Sequence, residues 1–268
     1  MRSPAGAFDL RAALSDEIKA AIAEFDAAPG KAKAVHRCRV HLKRARALAR
    51  VGRSCAPGLA AVFNESARST MRALAEARDL AALADAARTL ADKSKRKQAA
   101  ALDVVADHLD HERATIPPLD AEAIRHALKD LLALAQVWPE PSPRQIERGA
   151  ERLLRRARRA QRRGWRSAEP AHRHEWRKRE KDRLYAATLL DGAWPSRHKR
   201  RLNKNEALGD VLGRERDLLI LIERVSADPV LSGDKKTAKR ALKALNDRAQ
   251  RLARRADKLG DDLHAGGA

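Results

Sequence analysis

The sequence predicts an all-α fold: a duplicated helical bundle whose halves pack about a pseudo-two-fold axis, with a basic groove or channel between the halves. Three observations predict it. Aromatic residues make up only 3% of the chain, while Ala, Leu, Arg, Lys, Glu and Asp dominate, which favours helix over sheet. Apolar residues recur at helical spacing between Pro and Gly breaks. Two motifs also return together 138 residues later, the mark of an internal repeat.

Residues 7–27 carry Phe8, Leu14, Ile18, Ile22 and Phe25 near helical spacing, with Asp16, Glu17, Glu24 and Asp26 elsewhere on the surface, and Pro29-Gly30 ends this helix. The next stretch, 31–53, holds nine Lys/Arg and no acid. Read as a helix ending near Gly52, it places Val35, Cys38, Leu42, Ala45 and Ala49 on a buried stripe. His36, Arg39, Lys43, Arg46 and Arg50 form a second stripe one position further on. Like charges at this spacing repel by a few tenths of a kcal/mol per pair, about the size of an exposed helix ion pair, so negative charge is expected from outside the helix. Residues 59–91 read as one long helix containing Arg78-Asp79-Leu80, and after a basic loop, 93–97, residues 98–115 read as an acidic helix closed by Pro117-Pro118. Asp107, His108, Asp110 and His111 on that helix read as surface residues, and no metal site is expected.

A helix over 122–137 stops at Trp138-Pro139, and Pro139 to Pro143 is the clearest linker, which divides the chain into repeats at 1–138 and 139–268. The second half follows with helices over 144–163, 172–190, 197–227 and 234–259, closed by Gly164, Gly192 with Pro195, Pro229 and Gly260; the last residues, 266–268, are expected to be disordered. Arg148, Arg152, Arg155, Arg159 and Arg162 make a further basic stripe on the first of these, and Arg248, Arg251, Arg255 and Lys258 another on the last.

The repeat matches His36, Arg39 and Lys43 to His174, Arg177 and Lys181. It matches Leu74-x-x-x-Arg78-Asp79-Leu80 to Leu212-x-x-x-Arg216-Asp217-Leu218 in the same register. Facing basic stripes would focus field lines on an anion held between them. Arg78, Asp79, Arg216 and Asp217 read as members of structural ion pairs, because an aspartate in a basic protein most simply orients or neutralises an arginine from another helix.

Net charge is +21 and the sequence pI near 10.8, which suits a polyanionic partner. Only Cys38 and Cys55 occur, too few for a disulfide framework. The first fourteen residues lack an apolar run and the longest such run, 218–222, is too short to span a bilayer, so a soluble, cytoplasmic protein with no membrane partner is expected. Phosphoanhydride chemistry wants carboxylate-held Mg²⁺ beside basic clamps. The stripes carry no such carboxylates, and P-loop, Glu-x-Glu-x-Lys and Gly-x-Ser-x-Gly signatures are absent. No cofactor and no catalytic residue are expected.

A helix with His, Arg three residues on and a basic residue at seven, then a helix with Leu-Gly-x-x-x-Asp, the whole unit occurring twice, resembles the CHAD domain, the conserved-histidine α-helical domain. The resemblance spans about residues 7–260. It implies two four-helix bundles, a basic channel, non-catalytic binding of inorganic polyphosphate and, as in some bacterial members, association with polyphosphate granules. It assigns polyphosphate contacts to His36, Arg39, Lys43 and Arg46 and to His174, Arg177 and Lys181. The helix spacing adds Arg50 to the first stripe, and Arg148, Arg152, Arg155 and Arg159 either extend the binding surface or face solvent. Tyr185 stands where the second repeat usually has tyrosine. Leu184 replaces the basic residue before it, Ala75 stands where glycine is usual, and Glu206 and Gly209 replace Lys and Gln. The rival readings are a histone-like nucleic-acid binder, with Trp165 and Trp176 near basic stripes but few aromatics for base stacking, and a polyphosphate-processing enzyme.

Overall fold

The computed structural model describes residues 8–194 and 202–264, with no strand among them. Ten α-helices follow one another: α1 (Leu10–Ala27), α2 (Ala32–Gly52), α3 (Pro57–Ala73), α4 (Glu76–Ala91), α5 (Arg96–Ala114), α6 (Ala121–Gln136), α7 (Pro143–Gly164), α8 (Pro170–Leu190), α9 (Leu202–Ala227) and α10 (Lys235–His264). Three starts are capped by aspartate: Asp9 accepts from Ala12 N, Asp120 from Ala123 N and Asp234 from Thr237 N, each satisfying an amide that the first turn leaves without a carbonyl. The hydrogen bonds from the Thr237 amide and hydroxyl also hold the Asp234 carboxyl below its usual pKa. The ends of α8 lie 138 residues beyond those of α2, Ala32 to Pro170 and Gly52 to Leu190.

The chain forms two compact units, and they do not follow the 1–138 and 139–268 halves of the repeat. The first comprises residues 1–75, 118–159 and 178–206, the second 76–117, 160–177 and 207–268. The partitions differ because α4 and α5, from the first half, belong to the second unit, and because α7 and α8 are each divided between the units.

In the first unit, Leu14, Ile18 and Phe25 of α1 pack with Cys38, Leu42 and Leu48 of α2, Phe63 of α3, Leu128 and Leu131 of α6, and the fully buried Trp138, whose ring meets Phe63 edge-on at 5.8 Å. The whole apolar stripe predicted on α2 is buried. Gly149 lets α7 lie directly on the backbone of Val51, where a Cβ would collide. The second unit is built from α4, α5, the end of α7, the start of α8, and α9 and α10. Its core holds Leu102, Leu109, Leu208, Leu221, Leu245 and the fully buried Trp176.

Two expectations are corrected. The single helix over 59–91 is two. Leu74 N turns to Thr70 O (3.1 Å) and Ala75 N to Arg72 O (2.9 Å), closing α3 before α4 begins. No Gly or Pro marks this break. One contributor is visible in the hydroxyl of Thr70, which donates back to Ser66 O at 3.0 Å, a bond that bends helices. The last helix also runs through Gly260 to His264. That glycine makes room for the Trp176 ring, which a Cβ there would meet at 2.5 Å, and Gly164 accommodates the same residue at the end of α7, a Cβ standing 3.0 Å from its Cβ. Pro195 and residues 266–268 lie outside the described residues, and so does the start expected at 197, α9 being described from Leu202.

Candidate anion site

The first stripe lies in the first unit, and its members have different surroundings. His36 is exposed, Lys43, Arg46 and Arg50 are half-buried, and Arg39 is only 8% exposed. Arg39 Nη1 donates to the carbonyl of Met71 at 2.6 Å, at the open end of α3, where a cation also meets the negative pole of the helix. Arg50 Nη1 pairs with Asp182 of α8 at 3.0 Å, and Arg179 pairs with the other carboxylate oxygen at 2.9 Å. Asp182 therefore supplies part of the negative charge that the sequence places outside α2. The rest goes to the neighbouring face: Glu17 binds His41 (2.8 Å) and Arg44 (3.0 Å), and Glu24 binds Arg37 (2.6 Å).

Arg46 is held differently. Its Nη1 lies 3.6 Å from the Met71 sulfur, and its buried Nε has no hydrogen-bond partner among the described residues. Burial pushes its pKa down to about 10, the charges of Arg50 and Arg68 push the same way, and Asp182 and Glu65 pull against them. At neutral pH it remains a cation, in surroundings that disfavour its charge and so favour an arriving anion.

The second stripe is divided between the units, His174 and Arg177 falling in the second and Lys181 in the first; all three are half-buried. Arg177 lies against α9, where a Cβ on Gly213 would stand 3.4 Å from its Nε. Burial, then repulsion from Arg177, pushes the Arg216 pKa down, while Asp217, Glu223 and Asp79 pull it up. Glu215, the neighbour of Arg216, grips a different arginine. Both its oxygens bind Arg173, which also reaches Asp257 (2.9 Å), Gly164 O (2.9 Å) and Ala253 O (3.2 Å). Burial opposes the Arg173 charge, but these hydrogen bonds outweigh it and leave its pKa above the usual arginine value. Burial holds Glu215 above the usual carboxylate range against the pull of Arg173. The side chain of Arg78 lies outside the described residues.

On α7, Arg148, Arg155 and Arg159 are exposed and Arg152 is half-buried, with Glu151 near Arg155 at 3.6 Å. On α5, Asp107 and Asp110 are engaged by Arg88 at 3.0 and 2.7 Å. No described helix is long and apolar enough to cross a membrane. Sequence reasoning missed three residues of this site: Arg68, Met71 and Asp182. Arg68 and Asp182 sit on helices adjoining the stripe, and nothing in the spacing along the sequence connects either to Arg46 or Arg50.

A family model described as CHAD domain matches residues 12–226. Among solved structures, the chain is similar to the crystal structure of the CHAD domain from the plant Ricinus communis. The identity is 19%, the TM-score 0.66, and the match covers 99% of this chain and 95% of that one, a likeness of fold. No curated protein matches.

Proposed function

Because this chain belongs to the CHAD domain family, associated in general with polyphosphate, we propose that it binds inorganic polyphosphate without catalysis. The observation that carries the reading is Arg46. It is a half-buried guanidinium whose neighbours Arg50 and Arg68 are also cations and whose Nη1 meets a thioether as acceptor. A phosphate oxygen is a much stronger acceptor than sulfur, and the charge-assisted bond it would form relieves the repulsion. Lys43 and His36 stand on the same stripe, one and more than two turns before Arg46. In the second unit Arg177 and Arg216 are neighbouring cations, with His174 one turn before Arg177 on α8, and the exposed arginines of α7 extend the positive surface. A cytoplasmic place at polyphosphate granules, and a duplication underlying the 138-residue repeat, belong to the same proposal.

The deciding experiment is a competition at near-physiological salt. Labelled long-chain polyphosphate bound to the protein is challenged with single-stranded RNA or duplex DNA at equal phosphate concentration. Poor displacement is the expected result, and equal competition would hand the site to nucleic acid. Charge reversal of Lys43 and Arg46 to Glu is expected to abolish binding, whereas the same change at the exposed Lys235, Lys236 and Lys239 weakens it only modestly. Steady phosphate release from the polymer with Mg²⁺ present would overturn the non-catalytic part.

A further inference from the structure

Helix α3 reaches the first stripe twice through one residue. The Met71 carbonyl accepts from Arg39 and its sulfur contacts Arg46, seven residues later on α2. The carbonyl is open to Arg39 because α3 stops there: Ala75 N–H, the donor Met71 O would meet in a continued helix, turns to Arg72 O instead. The sulfur matters for the opposite reason. Arg50 is held by a carboxylate that offsets part of its charge, whereas a thioether is a weak acceptor that orients a guanidinium and leaves its charge intact.

We propose that Met71 is a positioning residue for anion binding: its carbonyl anchors Arg39 and with it the end of α3 to α2, and its sulfur holds the Arg46 guanidinium in the orientation that receives a phosphate oxygen. This inference rests on the polyphosphate reading above. It assigns to Met71 an acceptor role, which apolar packing at the same place would not require.

The test is a set of variants titrated with labelled long-chain polyphosphate, each checked for helical content and thermal midpoint. Met71→Leu keeps the volume and removes the acceptor, and is expected to weaken binding about three- to tenfold, as for coupled neighbours in contact. Its salt dependence should stay that of the wild type, since the number of cations is unchanged. Met71→Gln, which puts an amide oxygen acceptor one bond beyond the place of the sulfur, should restore affinity, although a purely apolar role would make it the worse of the two. In an Arg46→Ala background Met71→Leu should cause no further loss. Wild-type affinity in Met71→Leu, or an equal loss with and without Arg46, overturns the inference and leaves polyphosphate binding standing. Failure of the wild type itself to bind removes both.

Discussion

Helices α2 and α8 occupy matching places in the repeat, yet what they turn inward differs. On α2 the inward stripe is Val35, Cys38, Leu42, Ala45 and Ala49, apolar throughout and buried. The residues 138 further on are Arg173, Trp176, Glu180, Arg183 and Ala187, and three of these five are charged. Four of the five are buried, and Arg183 is half-buried. Arg173 is 5% exposed among Glu215 and Asp257, and Glu180 is fully buried, bound by Asn205 (2.6 Å) and Arg183 (2.9 Å). One helix thus buries its face by the hydrophobic effect, and the other by pairing every inward charge with an opposite one. The lesson concerns fragility. Loss of an apolar member leaves a cavity, whereas loss of one ion leaves its partners charged and buried.

The comparison can be broken most directly at its first position. Arg173→Ala is expected to cost about 3–5 kcal/mol, because Glu215 and Asp257 lose their counter-ion. Val35→Ala should cost about 2 kcal/mol, for two buried carbons and a small cavity. Urea denaturation at neutral pH measures both, and equal losses would end the distinction. In Arg173→Ala, Glu215 keeps the burial that raises its pKa and loses the arginine that lowers it. The folded variant then binds protons more tightly than the unfolded chain, and its deficit should shrink as pH falls through the carboxylate range.

A smaller effect is expected where the two stripes meet their neighbours. Arg39→Ala leaves the carbonyl of Met71 without its donor and should cost about 1–3 kcal/mol. On the other side, Gly213→Ala places a Cβ at 3.4 Å from Arg177 Nε, an ordinary contact, inside a continuous helix. It should stabilise the protein by about 0.5–1 kcal/mol with polyphosphate affinity unchanged. A loss of stability there would mean that Arg177 needs bare backbone.

The mildest test distinguishes Cys38 from its counterpart Trp176. Burial pushes the Cys38 thiol up to about 12, so it should resist thiol reagents in the folded protein while the half-buried Cys55 reacts. Native protein should take up one equivalent and denatured protein two. The unfolded thiol ionises from about 9, so folding stability should fall between about 9 and about 12, less steeply in Cys38→Ala.

The helices were legible in the sequence because most of their ends coincide with Pro, Gly or an aspartate cap, and the face of α2 because its periodicity is apolar. The inward face of α8 was not, since hydrophobic periodicity cannot see a stripe whose burial depends on partners forty to eighty residues away, Glu215 and Asp257. The break after Ala73 also escaped, having no Gly or Pro to announce it. Gly260 misled for the reverse reason: glycine ends many helices, but here it serves the close approach of an indole. That the basic residues of each predicted stripe lie on one helix was readable. How Arg39, Arg46 and Arg50 are each held was not, because that depends on Met71 and Asp182, residues on other helices.

Apart from Met1, Met71 is the sole methionine in the chain. A protein grown with isotope-labelled methionine methyl groups would therefore carry one internal resonance, placed beside Arg46 where the anion is proposed to bind. Its chemical shift would record occupancy of that position in solution with no substitution made, and nature has put the label where an experimenter would have chosen to engineer it.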